Sequence, residues 1–101
     1  MIVIFIGKIN KGVYLWCNKK FATILGLKDS NAIIDKTDYD LYSSELAKSV
    51  VETDKTILSQ GKEYQVEEIG LDSENRKAIY LSIKTPIRDK FGKVEGLVGI
   101  S

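Results

Sequence analysis

From residue 61 onward the apolar pattern changes to a period of two, cleanest over residues 76–87 and less clean over residues 93–100, and this period constrains the fold more than any other feature of the chain. A period of two belongs to a strand with two unlike faces. Over residues 76–87, Ile79, Leu81, Ile83 and Ile87 share one face, while Tyr80, Ser82 and Lys84 share the other. Turn-forming residues at 71–75 and at 89–92 divide the stretch into three strands. Pro86 cannot donate to a ladder, so its place is near a strand end. Over residues 63–71 the apolar parity moves from Tyr64 and Val66 to Ile69 and Leu71, which predicts a bulge near Glu67 and Glu68. Gly96 and Gly99 in the last strand suit close approach of a neighbouring backbone.

Upstream the pattern differs. Residues 2–6 and 13–17 are short β-branched and aromatic runs joined by a turn over residues 7–12, which reads as an antiparallel hairpin buried on both faces. Asn18 then serves as a helix N-cap, with Phe21, Ile24 and Leu25 at helical spacing and Gly26 at the stop. Thr37 and Asp40 stand three apart, an approximate capping box with Asp in place of Glu, and predict a short helical turn. The longest helix is expected over residues 44–60. Ser43 or Ser44 caps it, Gly61 ends it, and Leu46, Val50, Val51, Ile57 and Leu58 form its apolar stripe. Asp54 falls on that stripe.

The order is therefore two strands, a block of helices and three strands. Without alternation of strands and helices, a doubly wound parallel sheet is excluded in favour of an α+β fold. Five antiparallel strands with all helices on one face satisfy the pattern, in a single domain spanning residues 1–101. The run ends within a strand at Val98-Gly99-Ile100-Ser101, which reads as a module cut before a C-terminal output helix.

Composition excludes several functions. There is no histidine, which removes His-based acid–base catalysis, Ser–His and Cys–His pairs, most zinc sites and the usual haem ligand. Cys17 is the sole cysteine, so no internal disulfide forms. The net charge of +1 supplies no field for nucleic acid or an anionic membrane. The apolar run at residues 2–6 is too short to span a bilayer. A cytoplasmic location is expected, in a parent that is either soluble or membrane-anchored.

The ordered set of residues resembles the PAS domain family. The matching pieces are Gly12-Val13-Tyr14-Leu15-Trp16-Cys17-Asn18 with Phe21, then Leu25-Gly26, then Lys36-Thr37-Asp38-Tyr39-Asp40-Leu41. Asp54, Leu58 and Gly61 follow, and then Thr85-Pro86-Ile87-Arg88-Asp89 with Gly92 and Gly96-Leu97-Val98-Gly99-Ile100. The Thr-Asp-Tyr-Asp-Leu run is similar to the subset found in bacterial sensor histidine kinases and cyclic-dinucleotide signalling proteins. There are departures. Asp35 stands where that subset usually has glycine. Gly7 and Lys8 replace a common aromatic pair, and the closing Asp-Ile-Thr signature is missing.

The resemblance implies a sheet of strand order 2-1-5-4-3 and a sensor and dimerisation module with no catalytic residues of its own. Such a module holds a small ligand between sheet and helices and relays a conformational bias to an output domain, a histidine kinase first and a diguanylate cyclase second. The candidate cavity residues are Trp16, Phe21, Tyr39, Leu41, Val50, Asp54, Ile57, Tyr64, Ile79, Leu81 and Ile83. Asn18, Thr37 and Asp40 are structural caps. Asp54 binds a ligand, bonds a backbone or hydroxyl group, or lies exposed at the stripe's edge. Asp38 and Asp40 serve as caps or as ligand contacts, and Tyr14, Trp16 and Tyr80 face the cavity, a partner or the core. Ser82 and Lys84 read as solvated unless their face turns inward. No cofactor or metal is expected. Haem lacks an imidazole, and flavin adduct chemistry lacks the family's Asn-Cys-Arg-like motif, which leaves Cys17 as a small core residue. The expected partners are a second copy of the chain and an unidentified small molecule. Nucleic acid and direct membrane contact are not expected. A ligand-free dimerisation module, with no cavity of about 300 Å³ or more, is the alternative. A small enzyme would need a cluster such as Asp38, Asp40 and Asp54 converging on one pocket.

Overall fold

A computed structural model describes residues 4–8 as backbone, residues 12–72 and residues 74–101. The antiparallel hairpin is β1 (Ile4–Lys8) with β2 (Tyr14–Cys17). Residues 2 and 3 of the expected first strand lie outside the described residues, as do Asn10 and Lys11 of the expected turn. The helical block follows: α1 (Lys19–Ile24), a 3₁₀ turn (Ser30–Ile33), α2 (Asp38–Leu41) and α3 (Ser44–Gln60). Last come β3 (Tyr64–Leu71), β4 (Lys77–Arg88) and β5 (Val94–Ile100). The sheet runs β2-β1-β5-β4-β3, with every neighbouring pair antiparallel.

The helices begin and end where their terminal residues satisfy free backbone groups. Asn18 accepts from the Phe21 N–H at 3.0 Å and opens α1. Thr37 and Asp40 form a reciprocal capping box at α2, with the Thr37 N–H donating to Asp40 Oδ2 at 2.9 Å. This backbone bond, together with the Thr37 side chain, holds the Asp40 carboxyl below the usual range. Ser43 caps α3 by accepting from the Leu46 N–H. Gly61 closes α3 in the left-handed region at φ 65°, and its N–H donates to the Ile57 carbonyl. A Cβ at Gly61 would lie 2.7 Å from Arg88 Nη2. That guanidinium donates to the Gly61 carbonyl and, through Nη1, to the Gly92 carbonyl, both at 2.7 Å, and so fastens the end of α3 to the β4–β5 turn. Asp35, where a glycine was expected, takes φ 67° itself. Its N–H donates to the Tyr14 carbonyl at 3.0 Å, so the left-handed turn is kept by an aspartate.

One face of the sheet is roofed and the other is bare. α3 packs against β3, β4 and β5, and the 3₁₀ turn packs against β2. The core joins Tyr14, Cys17, Phe21, Ala22, Ile24, Ile33 and Leu97, with Leu25, Leu27, Leu41, Leu58 and Leu71 against it. β3 and β4 stay in register from Tyr64↔Lys84 to Leu71↔Lys77, so the bulge expected near Glu67 and Glu68 is absent. The change of apolar parity has another cause. Val66 and Glu68 pair with Ser82 and Tyr80, while Ile69 pairs with Ile79 on the bare face. The sheet's irregularities fall elsewhere, between Ile6 and Gly7 opposite β2 and between Ile87 and Arg88 opposite β5. The first turns Tyr14 and Cys17 inward and leaves Leu15 and Trp16 exposed. No described helix is long and apolar enough to cross a membrane.

Candidate ligand cavity and its buried charge cluster

Beneath α3, against the roofed face of the sheet, lies a cavity of about 50 Å³. Phe21 and Ile24 from α1, Val50 from α3 and the rings of Tyr14, Tyr42 and Tyr80 supply its apolar wall. Gly70 and Leu71 of β3 close one side, and Glu68, Ser82, Lys84 and Ser101 supply polar groups. Ser101 directly follows β5, and its hydroxyl lies 2.7 Å from that of Ser82.

The polar groups are placed by the sheet's inner parity. Ser82 and Lys84 are 1% and 0% exposed. A buried ammonium is costly unless paired, and Lys84 is paired twice. Its Nζ donates to Asp54 Oδ1 at 2.6 Å and to Glu68 Oε2 at 2.7 Å. Burial alone would lower the lysine's pKa, but the two carboxylates more than reverse this and hold it above the usual value. Burial pushes the Asp54 carboxyl up, Lys84 pulls it back and Glu68 raises it again, for a net rise.

A second contact joins this cluster. The Val13–Thr37 bridge and the Tyr14 N–H to Lys36 carbonyl bond, at 2.9 Å, bring the start of α2 over β2. Asp38, 5% exposed, thereby accepts from the Tyr14 hydroxyl. Burial pushes the Asp38 carboxyl up to about 6; the Tyr14 bond and Lys84 oppose this, while Asp54 and Glu68 reinforce it. Burial and the neighbouring Asp38 also raise the Tyr14 and Tyr42 hydroxyls. Asp38, Asp54 and Glu68 thus face a single ammonium, and the ionised cluster carries net negative charge.

The structure gathers only part of the expected residue set. Phe21 and Val50 line the cavity. Asp54 stands behind its wall through Lys84. Ile57 and Leu41 are core residues outside the lining. Trp16, Tyr39 and Tyr64 are exposed, and Ile79, Leu81 and Ile83 lie on the bare face at 74%, 56% and 40% exposure. Trp16, Tyr39 and Tyr64 lie outside the lining, Tyr64 although it pairs with inward-facing Lys84, and Ile79, Leu81 and Ile83 cannot wall a cavity on the roofed side. The reason is chemical: the inner face of β4 carries the counter-ion of two buried carboxylates, so its polar side turns inward. Asp40 lies on the surface as a cap, apart from Asp38 and Asp54. Cys17 is fully buried beside the Ser30 carbonyl, away from the lining, and burial raises its thiol pKa. Tyr14 and Tyr80, left open between cavity, partner and core, line the cavity, as do Ser82 and Lys84, whose face turns inward, while Tyr42, Glu68 and Ser101 were not among the expected residues. The available signal was Asp54 on an apolar stripe, which demands a buried cation.

Residues 5–101 match a family model described as the PAS fold. The aerobic respiration control sensor protein ArcB of Escherichia coli K12 is 30% identical over 83 residues, which are 82% of this chain and 10% of that protein. The chain thus spans about a tenth of the length of the curated relatives it matches. Among solved structures, VqmA bound to DPO aligns over 95% of this chain and 50% of its own, with TM-score 0.80 and 22% identity. A sensory box sensor histidine kinase from Vibrio cholerae aligns over 99% of this chain and 79% of its own, with TM-score 0.79 and 16% identity. The N-terminal domain of a diguanylate cyclase with PAS/PAC sensor from Marinobacter aquaeolei aligns over 99% and 92%, with TM-score 0.72 and 15% identity.

Proposed function

Because the chain belongs to the PAS fold family of sensory modules, we propose that it senses a compact ligand in the cavity beneath α3 and relays occupancy through β5. The observation that carries this reading is the position of Ser101. It follows the last strand directly and also forms part of the cavity wall. β5 lies between β1 and β4 in the sheet, so a displacement at Ser101 is felt by strands on both sides. The mechanism is a bias between two arrangements, and the ligand shifts it only by its difference in affinity for them. A space of about 50 Å³ is far below the roughly 300–1,000 Å³ of drug-sized pockets. The ligand class is therefore small, and a haem or flavin is too large. By likeness to ArcB and to the sensor histidine kinase, the relay leads to a kinase in a cytoplasmic part of a longer protein. A diguanylate cyclase is the second output.

Native mass spectrometry of the purified chain tests the reading. A bound small mass is expected on the wild type and is lost in Val50→Phe, which fills the cavity. Identical ligand-free spectra for both proteins would count against it.

The bare face supports a second role in pairing with another copy of the chain. Ile69, Ile79, Leu81, Ile83 and Ile100 are all large, apolar and exposed, and the register sets them side by side across β3, β4 and β5. An apolar sheet face of this kind marks an interaction surface. Sedimentation equilibrium should show a dimer that Leu81→Asp dissociates. A wild-type chain that stays monomeric at high concentration would refute the pairing.

A further inference from the structure

We infer that the cavity selects a compact organic ammonium over neutral or anionic molecules of the same size. This rests on the reading of the cavity as a ligand site and names the class of its ligand. A buried lysine in a pocket wall would ordinarily suggest a carboxylate or phosphate ligand. Here that lysine is already committed. Lys84 holds Asp54 and Glu68 at 2.6 and 2.7 Å, and an incoming anion would have to displace one of them. Among the described lining residues Lys84 is the sole cation, while Asp38 and Asp54 stand just behind the wall and Glu68 is part of it. The field inside is set by more carboxylate than ammonium, in surroundings where charges are weakly screened.

Two further features suit a cation. Glu68 gives one carboxylate oxygen, Oε2, to Lys84, and its other oxygen makes no hydrogen bond to the described residues. It is an acceptor at the cavity wall. Tyr14, Phe21, Tyr42 and Tyr80 also line the cavity, and aromatic rings attract an ammonium. Val50, Ile24 and Leu71 leave room for a short alkyl group only.

The test is an NMR titration of the ¹⁵N-labelled chain at constant ionic strength and pH 7.5. The probes are n-propylammonium, n-propanol and propionate, each taken into the tens-of-millimolar range. Propylammonium should shift the amides of Gly70, Leu71 and Ser82 with a Kd at least about tenfold below those of the other two. Glu68→Gln, its fold checked by the same spectrum, should abolish that preference. If the variant does not fold, the wild-type comparison alone decides. Propanol or propionate binding equally well at these amides would overturn the inference and leave the cavity reading intact. No response to any of the three would overturn both.

Discussion

Asp38→Asn is expected to remove a pH-dependent term of about 3 kcal/mol from the stability of this fold. Asp38 is buried beside Tyr14, and its carboxyl is pushed from 3.8 to about 6. That rise is a little over two pH units, each worth about 1.4 kcal/mol. The sign follows from linkage. The folded state holds a proton over a range where the unfolded state has lost it. The added stability is therefore complete below about pH 4 and is lost as pH rises through about 6. Asparagine keeps an oxygen for the Tyr14 hydroxyl but does not titrate. Urea denaturation of both proteins from pH 3.5 to 7.5 reads the effect as a difference in which the carboxylates remote from Asp38 cancel, leaving Asp38 with its coupling to Asp54 and Glu68. Relative to the variant, the wild type should lose about 3 kcal/mol across that range, chiefly between pH 4 and 6. A flat difference, or a wild type that gains stability with rising pH, would show that burial does not raise the Asp38 carboxyl.

Three other outcomes are expected. Lys84→Met leaves Asp54 and Glu68 buried without their shared cation and should cost about 3–5 kcal/mol in urea denaturation at pH 7; a loss below 1 kcal/mol would mean that water reaches the pair. Asp35→Gly relieves a left-handed non-glycine residue and should raise stability by about 1 kcal/mol in the same assay, an outcome that an unchanged or lower midpoint would exclude. Arg88→Ala removes two bonds between the α3 C-terminus and the β4–β5 turn. It should cost about 1 kcal/mol and hasten hydrogen exchange at Gly61 and Gly92; unchanged exchange at those amides would argue that the clamp is not formed in solution.

The element order could be read from the sequence because each boundary has local chemistry. Ser43 and Gly61 bracket α3, Asn18 starts α1, and Thr37 with Asp40 starts α2, all within three or four residues of the groups they serve. The site was less legible because its contacts are remote. Parity shows that Ile79, Leu81 and Ile83 share a face, but not which face receives the helices. That choice depends on Lys84 meeting Asp54, thirty positions away, and Glu68, sixteen away. The usual equation of apolar with inward fails where buried charge must be neutralised. Tyr14 and Asp38 repeat the lesson, since a strand tyrosine and a helix-start aspartate give no local sign of contact. The bulge expected in β3 was a misreading of the same kind: two apolar surfaces on opposite faces imitate a slip in register.

β1 lies beside β5, so the middle of the sheet is joined by residues 4–8 pairing with residues 96–100. During synthesis, the hairpin at one end and the β3–β4 pair at the other must each wait with a naked edge until the final strand emerges between them. Closing so long a loop is entropically expensive before any ladder bond rewards it, so assembly should be slow for a chain of this size. The waiting edges are templates for foreign strands. Yield in a cell should accordingly respond to holding chaperones more than point mutations in α3 would suggest.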